Sequence, residues 1–435
     1  MSCRHRPLQL GLSLALLLVA CMPSHAQIKV AVTPDHETGI YELGETVTWT
    51  IRVTDGDQPA TGDVNWFVRR GGLVQVSQGT APLVDGTATV EATRDDPGAL
   101  LLSARYNVGD ERTEGLGGAV YAPDQITASA DEPADFDEFW QGKIAALAAI
   151  PPNPQLTLVD LGEPEIEYYK LEMDGWNGSK IYAQLAKPKG GTNLPAMVVY
   201  QWAGVYGLNR DWVTGLAKNG WLALNVMAHD LPIDQPSEFY KAQDEGPLRG
   251  YPTQGRDDRE TSYFLRMYLA VYRTLDYMTT RPDWNQETLA VQGSSQGGGQ
   301  SLIAAGIHPR VTALLANVPA MCDHAGHLVG RAPGWPRLAG WGQEPDNDQV
   351  VEVGKYFDAV YFARRAKAQS ALVSAGLIDI TCSPEGVIAA FNALPVPNKE
   401  LVLMPLAGHN GGQDAYYQRH GSWLWQLREG RVPER

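Results

Sequence analysis

The spacing of hydrophobic residues divides the chain into two parts. From residue 27 to about residue 122, apolar and polar residues alternate, as in VTWTIRV (47–53) and LLLSARY (100–106). A period of two is typical of strands that bury one face. Turns rich in Gly and Asp separate these segments, so we predict an immunoglobulin-like β-sandwich that lacks the cysteine pair of antibody domains.

The second part, residues 135–435, has a different pattern. An amphipathic helix is predicted first, because Phe136, Trp140, Ile144 and Leu147 fall on one helical face. Uniformly apolar runs then alternate with helical segments: PAMVVY, WLALNVM, LAVQG, TALLANV, ALVSAG and LVLMPL. Buried strands separated by helices indicate a mostly parallel sheet covered on both faces. Residues 123–134, rich in Asp, Pro and Ala, are predicted to link the two domains.

The first 26 residues have the composition of an export signal. Arg4 and Arg6 precede an apolar run of about a dozen residues, too short to span a membrane. Ser24-His25-Ala26 is a cleavage site of small residues, whereas Leu18-Val19-Ala20-Cys21 resembles a bacterial lipobox that would lipidate Cys21. We therefore expect a periplasmic or secreted protein, or, with a lipid anchor on Cys21, an outer-membrane lipoprotein.

Charge and cysteine content narrow the possible partners. The formal net charge of -15 argues against nucleic acid, which is bound through clustered Lys and Arg. Cys322 and Cys382 remain after the signal, and an oxidising compartment would allow them to pair, although two buried free thiols are an equal alternative. Two cysteines do not make a zinc site unaided, and no metal or cofactor is predicted.

The stretch LAVQGSSQGGGQ (289–300) carries the clearest chemical signal. Only Ser295 has glycine both two residues before and two residues after it, at Gly293 and Gly297. A nucleophile on a sharp strand-to-helix turn needs these glycines because side chains there would collide. A phosphate-binding loop is the alternative, but it would need a nearby Lys, and none occurs between residues 281 and 310. We predict Ser295 as the nucleophile and Ser294 as a neighbour.

A catalytic serine needs a base and a group that orients the base. Asp379 directly follows the run ALVSAGLI, and His409 directly follows LVLMPLAG. Both positions lie at the carboxyl ends of predicted strands, where open α/β sheets bind ligands. Three other histidines also follow strands and are expected to be substrate contacts or structural residues: His229, His324 and His327.

The oxyanion hole is expected at two places. One donor is the backbone N–H of Gln296, at the start of the helix after Ser295, and the second comes from the loop after PAMVVY, at Gly204 or Val205. Nearby side chains are candidates for substrate binding: Trp202, Tyr206 and His229.

From DFDEFW onward, about 70% of the chain resembles the acetyl xylan esterase and cephalosporin C deacetylase family of α/β-hydrolases. The resemblance rests on DFD with FW (135–140), GSSQGG (293–298), NVP (317–319), CD (322–323), YFDA (356–359) and GLID (376–379). It implies an α/β-hydrolase fold after the added sandwich, with Ser295 as nucleophile, His409 as base and Asp379 as orienter. The implied activity is removal of acetyl groups from xylan and xylo-oligosaccharides.

Some positions depart from the family pattern. The usual Arg-Gly-Gln is replaced by Ala228-His229-Asp230, the usual His-Gly-Tyr by Gln201-Trp202-Ala203, and the Glu after the catalytic His by Asn410. Because the first motif bears on subunit contacts, the family's oligomeric assembly is not carried over to this chain. Two alternatives stay open: a peptidase of the prolyl oligopeptidase type and a catalytically inactive carbohydrate-binding protein.

Overall fold

The protein is described by a computed structural model that covers residues 28–340 and 347–434. The predicted export signal, with Cys21, lies outside the described residues. Within those two ranges, none of the helices combines the length and apolar character that crossing a bilayer requires.

The N-terminal domain consists of strands alone. Its strands are β1 (Ile28–Pro34), β2 (Ile40–Tyr41), β3 (Thr46–Asp55), β4 (Gln58–Pro59), β5 (Asp63–Arg70), β6 (Val74–Pro82), β7 (Thr87–Thr93), β8 (Gly98–Val108) and β9 (Glu111–Tyr121). One sheet has the order β1-β3-β4 with β7 also on β3, and the other has the order β2-β9-β8-β5-β6. Trp49 and Ile51 of β3 share a core with Leu100 and Leu102 of β8, so the two sheets pack face to face.

The predicted all-β region is thus present. The alternation seen in the sequence corresponds to alternating burial along β3, where every second residue from Val47 to Val53 is buried. The immunoglobulin-like topology itself stays a prediction.

The second domain alternates helices with strands around one nine-stranded sheet. Its elements are α1 (Phe136–Ala148), β10 (Gln155–Val159), β11 (Ile166–Asp174), β12 (Lys180–Pro188), β13 (Leu194–Tyr200), α2 (Asp211–Lys218), β14 (Leu222–Val226), α3 (Ser237–Glu245), α4 (Tyr263–Thr279), β15 (Trp284–Ser294), α5 (Gln296–Ile307), β16 (Ala313–Asn317), α6 (Asp348–Lys355), α7 (Ala359–Ala363), β17 (Ser370–Gly376), α8 (Pro384–Ala393), β18 (Asn398–Met404) and α9 (Asp414–Arg428). The strand order is β10-β11-β12-β14-β13-β15-β16-β17-β18.

The sheet is parallel from β14 to β18 and antiparallel at its β10–β12 end. Strands β14, β16 and β17 are buried along their whole length, as expected when helices cover both faces. The carboxyl ends of β13, β15, β16, β17 and β18 therefore lie along one edge. The loops that follow them carry every predicted catalytic residue, and the α/β-hydrolase fold is confirmed.

The two domains are packed tightly against each other. Ala332 N–H donates to the Gly71 carbonyl at 2.7 Å, and a Cβ on Gly118 would lie only 2.4 Å from the Leu377 carbonyl oxygen. The segment predicted as a linker is also fixed, because Ser129 N–H donates to Asp323 Oδ1 at 2.8 Å. The N-terminal domain is therefore held close to the loop that carries Asp379.

Cys322 and Cys382 are both buried and free. The disulfide considered from the sequence is not formed. Burial raises the pKa of each thiol well above its ordinary value, so both stay protonated at neutral pH.

Candidate active site

Ser295 lies on the sharp turn between β15 and α5. Its backbone has φ 56° and ψ −121°, a conformation that L residues rarely adopt. A Cβ on Gly293 would lie 2.4 Å from the Gly297 carbonyl carbon, and one on Gly297 would lie 2.3 Å from the Tyr200 carbonyl oxygen. The two glycines thus permit the close approach that raises Ser295 at the sheet edge.

The three predicted catalytic side chains form one hydrogen-bonded chain. His409 Nε2 lies 3.0 Å from Ser295 Oγ, and His409 Nδ1 lies 2.8 Å from Asp379 Oδ2. A carboxylate can only accept, so it selects the tautomer with hydrogen on Nδ1 and leaves Nε2 free to accept the serine proton. Asp379 is itself fixed, since its Oδ1 accepts from the N–H groups of Thr381 and Cys382 at 2.8 and 2.9 Å.

A second, partly buried network supports the His409 loop. Gln413 Nε2 donates to the His409 carbonyl at 2.7 Å. Asn317 Nδ2 donates to Gln413 Oε1 at 2.8 Å and to Ser294 Oγ at 3.0 Å, while Ser374 Oγ donates to Asn317 Oδ1 at 2.7 Å. The hydroxyl of Ser294, next to the predicted nucleophile, thus belongs to a network that supports His409.

The loop after β13 contains both residues predicted to offer the second oxyanion donor, Gly204 and Val205. Gly204 N–H donates to the Tyr251 hydroxyl at 3.3 Å, so it is not available to an oxyanion, and Val205 packs against the core. Ala203 is the residue of this loop that lines the cavity at Ser295 together with Trp202. Gln296 is the first residue of α5, where backbone N–H groups have no partner within the helix.

Of the two roles expected for His229, substrate contact or structural residue, its contacts fit the second. It is buried, its Nε2–H donates to the Gly204 carbonyl at 2.9 Å, and its Nδ1 accepts from the Tyr263 hydroxyl, with 2.6 Å between the two atoms. Burial lowers its pKa to about 4, so the ring is neutral at pH 7. His229 therefore supports the loop after β13 from behind.

The cavity at Ser295 has a volume of about 580 Å³. Two of its lining residues are aromatic and well exposed: Trp202 at 49% and Tyr417 at 54%. Tyr206 does not line the cavity; its hydroxyl donates to the Trp202 carbonyl at 2.8 Å, so it supports Trp202 instead. His324 is buried away from this cavity, and His327 does not line it.

Cys382 lies beside the catalytic side chains Asp379 and His409. Among the described residues, Asp379, Cys382 and His409 are the group whose ligand atoms lie close enough to hold a metal ion, within 4.8 Å of one another. In this structure, however, the His409 and Asp379 atoms are hydrogen-bonded to each other, as acid–base chemistry at Ser295 requires.

The fold and the site together define a serine hydrolase of the α/β-hydrolase class. A model of the acetyl xylan esterase (AXE1) family matches residues 124–427. The chain belongs to this family and is a serine carboxylic-ester hydrolase.

Individual relatives agree. The chain is 30% identical over 402 residues to the acetyl esterase Axe7A of Xylanibacter ruminicola, covering 91% of this chain and 90% of that protein. It is similar to the solved acetyl xylan esterase from Paenibacillus sp. R4, with 28% identity, TM-score 0.59 and coverage of 71% and 98%. Acetyl xylan esterase 1 from Thermoanaerobacterium sp. JW/SL YS485 has 23% identity, TM-score 0.57 and coverage of 68% and 96%, and supports the fold.

Proposed function

We propose that this esterase removes O-acetyl groups from xylan, xylo-oligosaccharides or related cell-wall sugars, with Ser295 as nucleophile, His409 as base and Asp379 as orienter. The observation that carries the proposal is the continuous hydrogen-bonded chain from Asp379 through His409 to Ser295, which ends in an open cavity with exposed aromatic rings. Membership of the acetyl xylan esterase family supports the same substrate class.

In the first half-reaction, Ser295 Oγ attacks the acetyl carbonyl carbon while its proton passes to His409 Nε2. The tetrahedral intermediate collapses as the C–O bond to the sugar breaks and His409 returns the proton to the sugar oxygen. An acetyl-enzyme remains on Ser295. Asp379 stabilises the imidazolium that forms at each transfer.

In the second half-reaction, water takes the place of the sugar alcohol. His409 removes a proton from the water as its oxygen attacks the acetyl carbon, and a second tetrahedral intermediate forms. As it collapses, the bond between the acetyl carbon and Ser295 Oγ breaks, His409 returns the proton to Oγ, and acetate is released. The Gln296 N–H at the start of α5 is suited to stabilise both oxyanions, a role worth about 3 kcal/mol per donor in serine hydrolases.

The cavity suits a sugar as the alcohol part of the ester. The exposed rings of Trp202 and Tyr417 offer stacking surfaces for the apolar faces of a pyranose. Polar side chains on the same cavity offer partners for hydroxyl groups: Thr381 and Asn410.

We further propose that the enzyme acts outside the cytoplasm. The support is the basic start, short apolar run and small-residue exit of residues 1–26, with Cys21 as the site of an anchor if the lipobox is used. Mass spectrometry of the N-terminus of the exported protein distinguishes a start at Gln27 from a lipidated Cys21.

The test is acetate release from acetylated xylo-oligosaccharides, measured beside hydrolysis of a small chromogenic acetyl ester. The wild type is expected to act on both and Ser295→Ala on neither, while Ser77→Ala, on an exposed strand of the N-terminal domain, keeps the activity. Cleavage of the small ester alone would remove the xylan assignment, and cleavage of peptide substrates instead would favour a peptidase. A folded wild type inactive on every substrate would favour the carbohydrate-binding alternative.

A further inference from the structure

A second cavity lies between the two domains, and the catalytic chain described above does not use it. Its volume is about 380 Å³, within the range of small-molecule sites. We call it the interdomain cleft. The N-terminal domain lines it with Arg69, Gly71, Gly72, Leu73, Ala99, Leu100, Leu101, Arg105, Glu114 and Leu116, and the catalytic domain with Ala332, Arg337, Leu377, Asp379, Ile380, Ser383 and Pro384.

The wall from the N-terminal domain is positively charged. The side chain of Arg69, on β5, has no acidic or hydrogen-bonding partner within residues 28–340 and 347–434. Arg105 of β8 pairs with Glu114 of β9 at 3.0 Å, and its guanidinium lies 4.7 Å from the centre of the Phe67 ring. The Glu114 charge is thus matched by Arg105, and Arg69 is left uncompensated.

The wall from the catalytic domain adds another guanidinium. Arg337 lines the cleft, and its Nη2 donates to the Ile380 carbonyl. Asp379 also contributes to this wall, but both of its carboxylate oxygens are already bonded, one to His409 and the other to backbone N–H groups. The cleft is therefore a locally cationic site in a protein whose formal net charge is -15.

Adjacent residues line the two cavities. Trp335 and Thr381 line the cavity at Ser295, whereas Arg337 and Ile380 line the interdomain cleft. Ile380 is 57% exposed and is followed directly by Thr381, so it offers an apolar, open surface where the linings of the two cavities meet. A saccharide whose acetyl group is at Ser295 can therefore extend a branch toward the cleft.

We propose that the interdomain cleft binds a carboxylate-bearing sugar, a uronic acid branch of the acetylated saccharide; this rests on the function proposed above. A guanidinium binds a carboxylate with two parallel hydrogen bonds, a geometry that lysine does not offer. The apolar lining of Leu73, Leu101 and Leu116 suits the ring face of the same sugar. The N-terminal domain thereby contributes to substrate choice.

The experiment compares two acetylated xylo-oligosaccharides that differ only in one glucuronic acid branch. The wild type is expected to show a kcat/KM about tenfold higher for the branched substrate, a modest gain for one charge-assisted contact. Arg69→Gln is expected to bring the ratio close to one and to leave hydrolysis of the small chromogenic ester unchanged. The matched control is Arg52→Gln, an exposed arginine on the other sheet, which should keep the wild-type ratio.

Two results would overturn the cleft assignment: equal kcat/KM for both saccharides in the wild type, or an unchanged preference in Arg69→Gln. Free glucuronic acid is included as a competitor, and inhibition of both saccharides alike would point to a separate acidic sugar rather than a branch. Failure of the proposed function would look different, since neither saccharide would release acetate. In that case, the deacetylated branched oligosaccharide is titrated into Ser295→Ala; weaker binding after Arg69→Gln upholds the cleft, and equal binding removes it.

Discussion

The two domains bury different kinds of residues. In the described part of the N-terminal domain, the buried polar side chains are Arg94 and Ser103, and the core is otherwise apolar. In the catalytic domain, buried polar residues cluster where the parallel strands end, among them Asn317, Ser374 and Asp379. Burying a polar group lowers stability unless the group is paired. The accumulation of such groups at one edge of the sheet therefore indicates a functional site there.

Arg94 shows how the first domain serves the second. Its Nη1 donates to Glu385 Oε1 at 2.9 Å, with the arginine side chain 5% exposed and the glutamate 0%. Glu385 also accepts from the Ala99 N–H and lies in the first turn of α8, six residues after Asp379. The comparison thus suggests two separable roles, catalysis at the sheet edge and support at the domain boundary.

The sharpest test of the catalytic role is Asp379→Asn. The amide keeps the shape of the carboxylate but no longer selects the tautomer in which Nε2 accepts, so kcat should fall by about 10⁴-fold, as in serine proteases. The thermal midpoint should change little. Steady-state kinetics on the small acetyl ester provide the measurement, with Asp276→Asn on the exposed face of α4 as the control. A loss of less than tenfold would contradict the assigned role of Asp379.

If Glu385 supports the domain boundary, Glu385→Gln should act mainly on the stability of the protein, whereas Asp379→Asn acts mainly on its activity. Burial raises the pKa of Glu385 in spite of Arg94 and Arg331, so the pair is held at a cost; removing the Glu385 charge leaves the buried Arg94 guanidinium with the half-exposed Asp96 as its remaining acidic partner. We expect a loss of about 3–5 kcal/mol in the free energy of unfolding, measured by denaturant titration. Glu245→Gln, in an exposed pair with Lys241, should cost less than about 1 kcal/mol.

Equal costs for the two glutamate substitutions would contradict a supporting role for the domain boundary. A second readout sharpens the test. If the boundary holds the Asp379 loop, kcat of Glu385→Gln should fall even at temperatures where the variant is fully folded.

Buried histidines make the stability of the protein depend on pH. Burial lowers the pKa of four of them from 6.5 to about 4: His229, His308, His324 and His420. The unfolded chain binds these protons below pH 6.5 and the folded protein does not. Stability is therefore complete above pH 6.5 and declines as the pH falls toward 4, by up to about 3 kcal/mol per histidine. Asp358 and Glu385 oppose this trend, since burial raises the pKa of both, that of Asp358 to about 7, but two groups do not offset four.

The measurement is the free energy of unfolding between pH 7 and pH 4 for the wild type and His420→Gln. The variant loses one of the four groups, so its stability should decline less steeply over this range. His36→Gln is the control, because His36 is exposed in the N-terminal domain and its pKa is raised rather than lowered. An identical decline in the wild type and His420→Gln would contradict the assigned burial of that imidazole.

Sequence patterns predicted the parts of the molecule that depend on local geometry. The need for Gly293 and Gly297 depends only on the backbone of the turn that carries Ser295. The positions of Ser295, Asp379 and His409 depend on parallel strands whose carboxyl ends share one edge. The strands of the N-terminal domain bury one face and have a period of two, whereas the parallel strands of the catalytic domain are buried on both faces and are uniformly apolar. This difference made both domains recognisable in the sequence.

Two features of the site could not be predicted because they depend on contacts between distant segments. Gly204 was predicted as an oxyanion donor, but the hydroxyl of Tyr251, 47 residues away, takes its N–H. His229 follows a strand at the correct edge, yet Tyr263 and Gly204 hold its ring behind the loop. Such partners depend on how helices and loops pack, and no periodicity or local motif in one sequence encodes them.

Gln413 offers the smallest but most discriminating prediction. It reaches the His409 loop only through its side chain, whose Nε2 donates to the His409 carbonyl at 2.7 Å while Oε1 accepts from Asn317 at 2.8 Å. Gln413→Ala leaves all three catalytic side chains in place but lets the His409 loop relax. Because small displacements in an active site cost up to about 100-fold, we expect kcat to fall by about 10- to 100-fold.

A purely structural role would not produce the same pattern. If Gln413 positions His409, KM for the small acetyl ester and the thermal midpoint should change little while kcat falls. Gln413→Glu retains the acceptor for Asn317 but loses the donor to the His409 carbonyl, so it should resemble Gln413→Ala in kcat. If Gln413→Glu has the kcat of the wild type, the bond from Asn317, and not the bond to the His409 carbonyl, supports His409. If the variants change stability alone, Gln413 does not position His409.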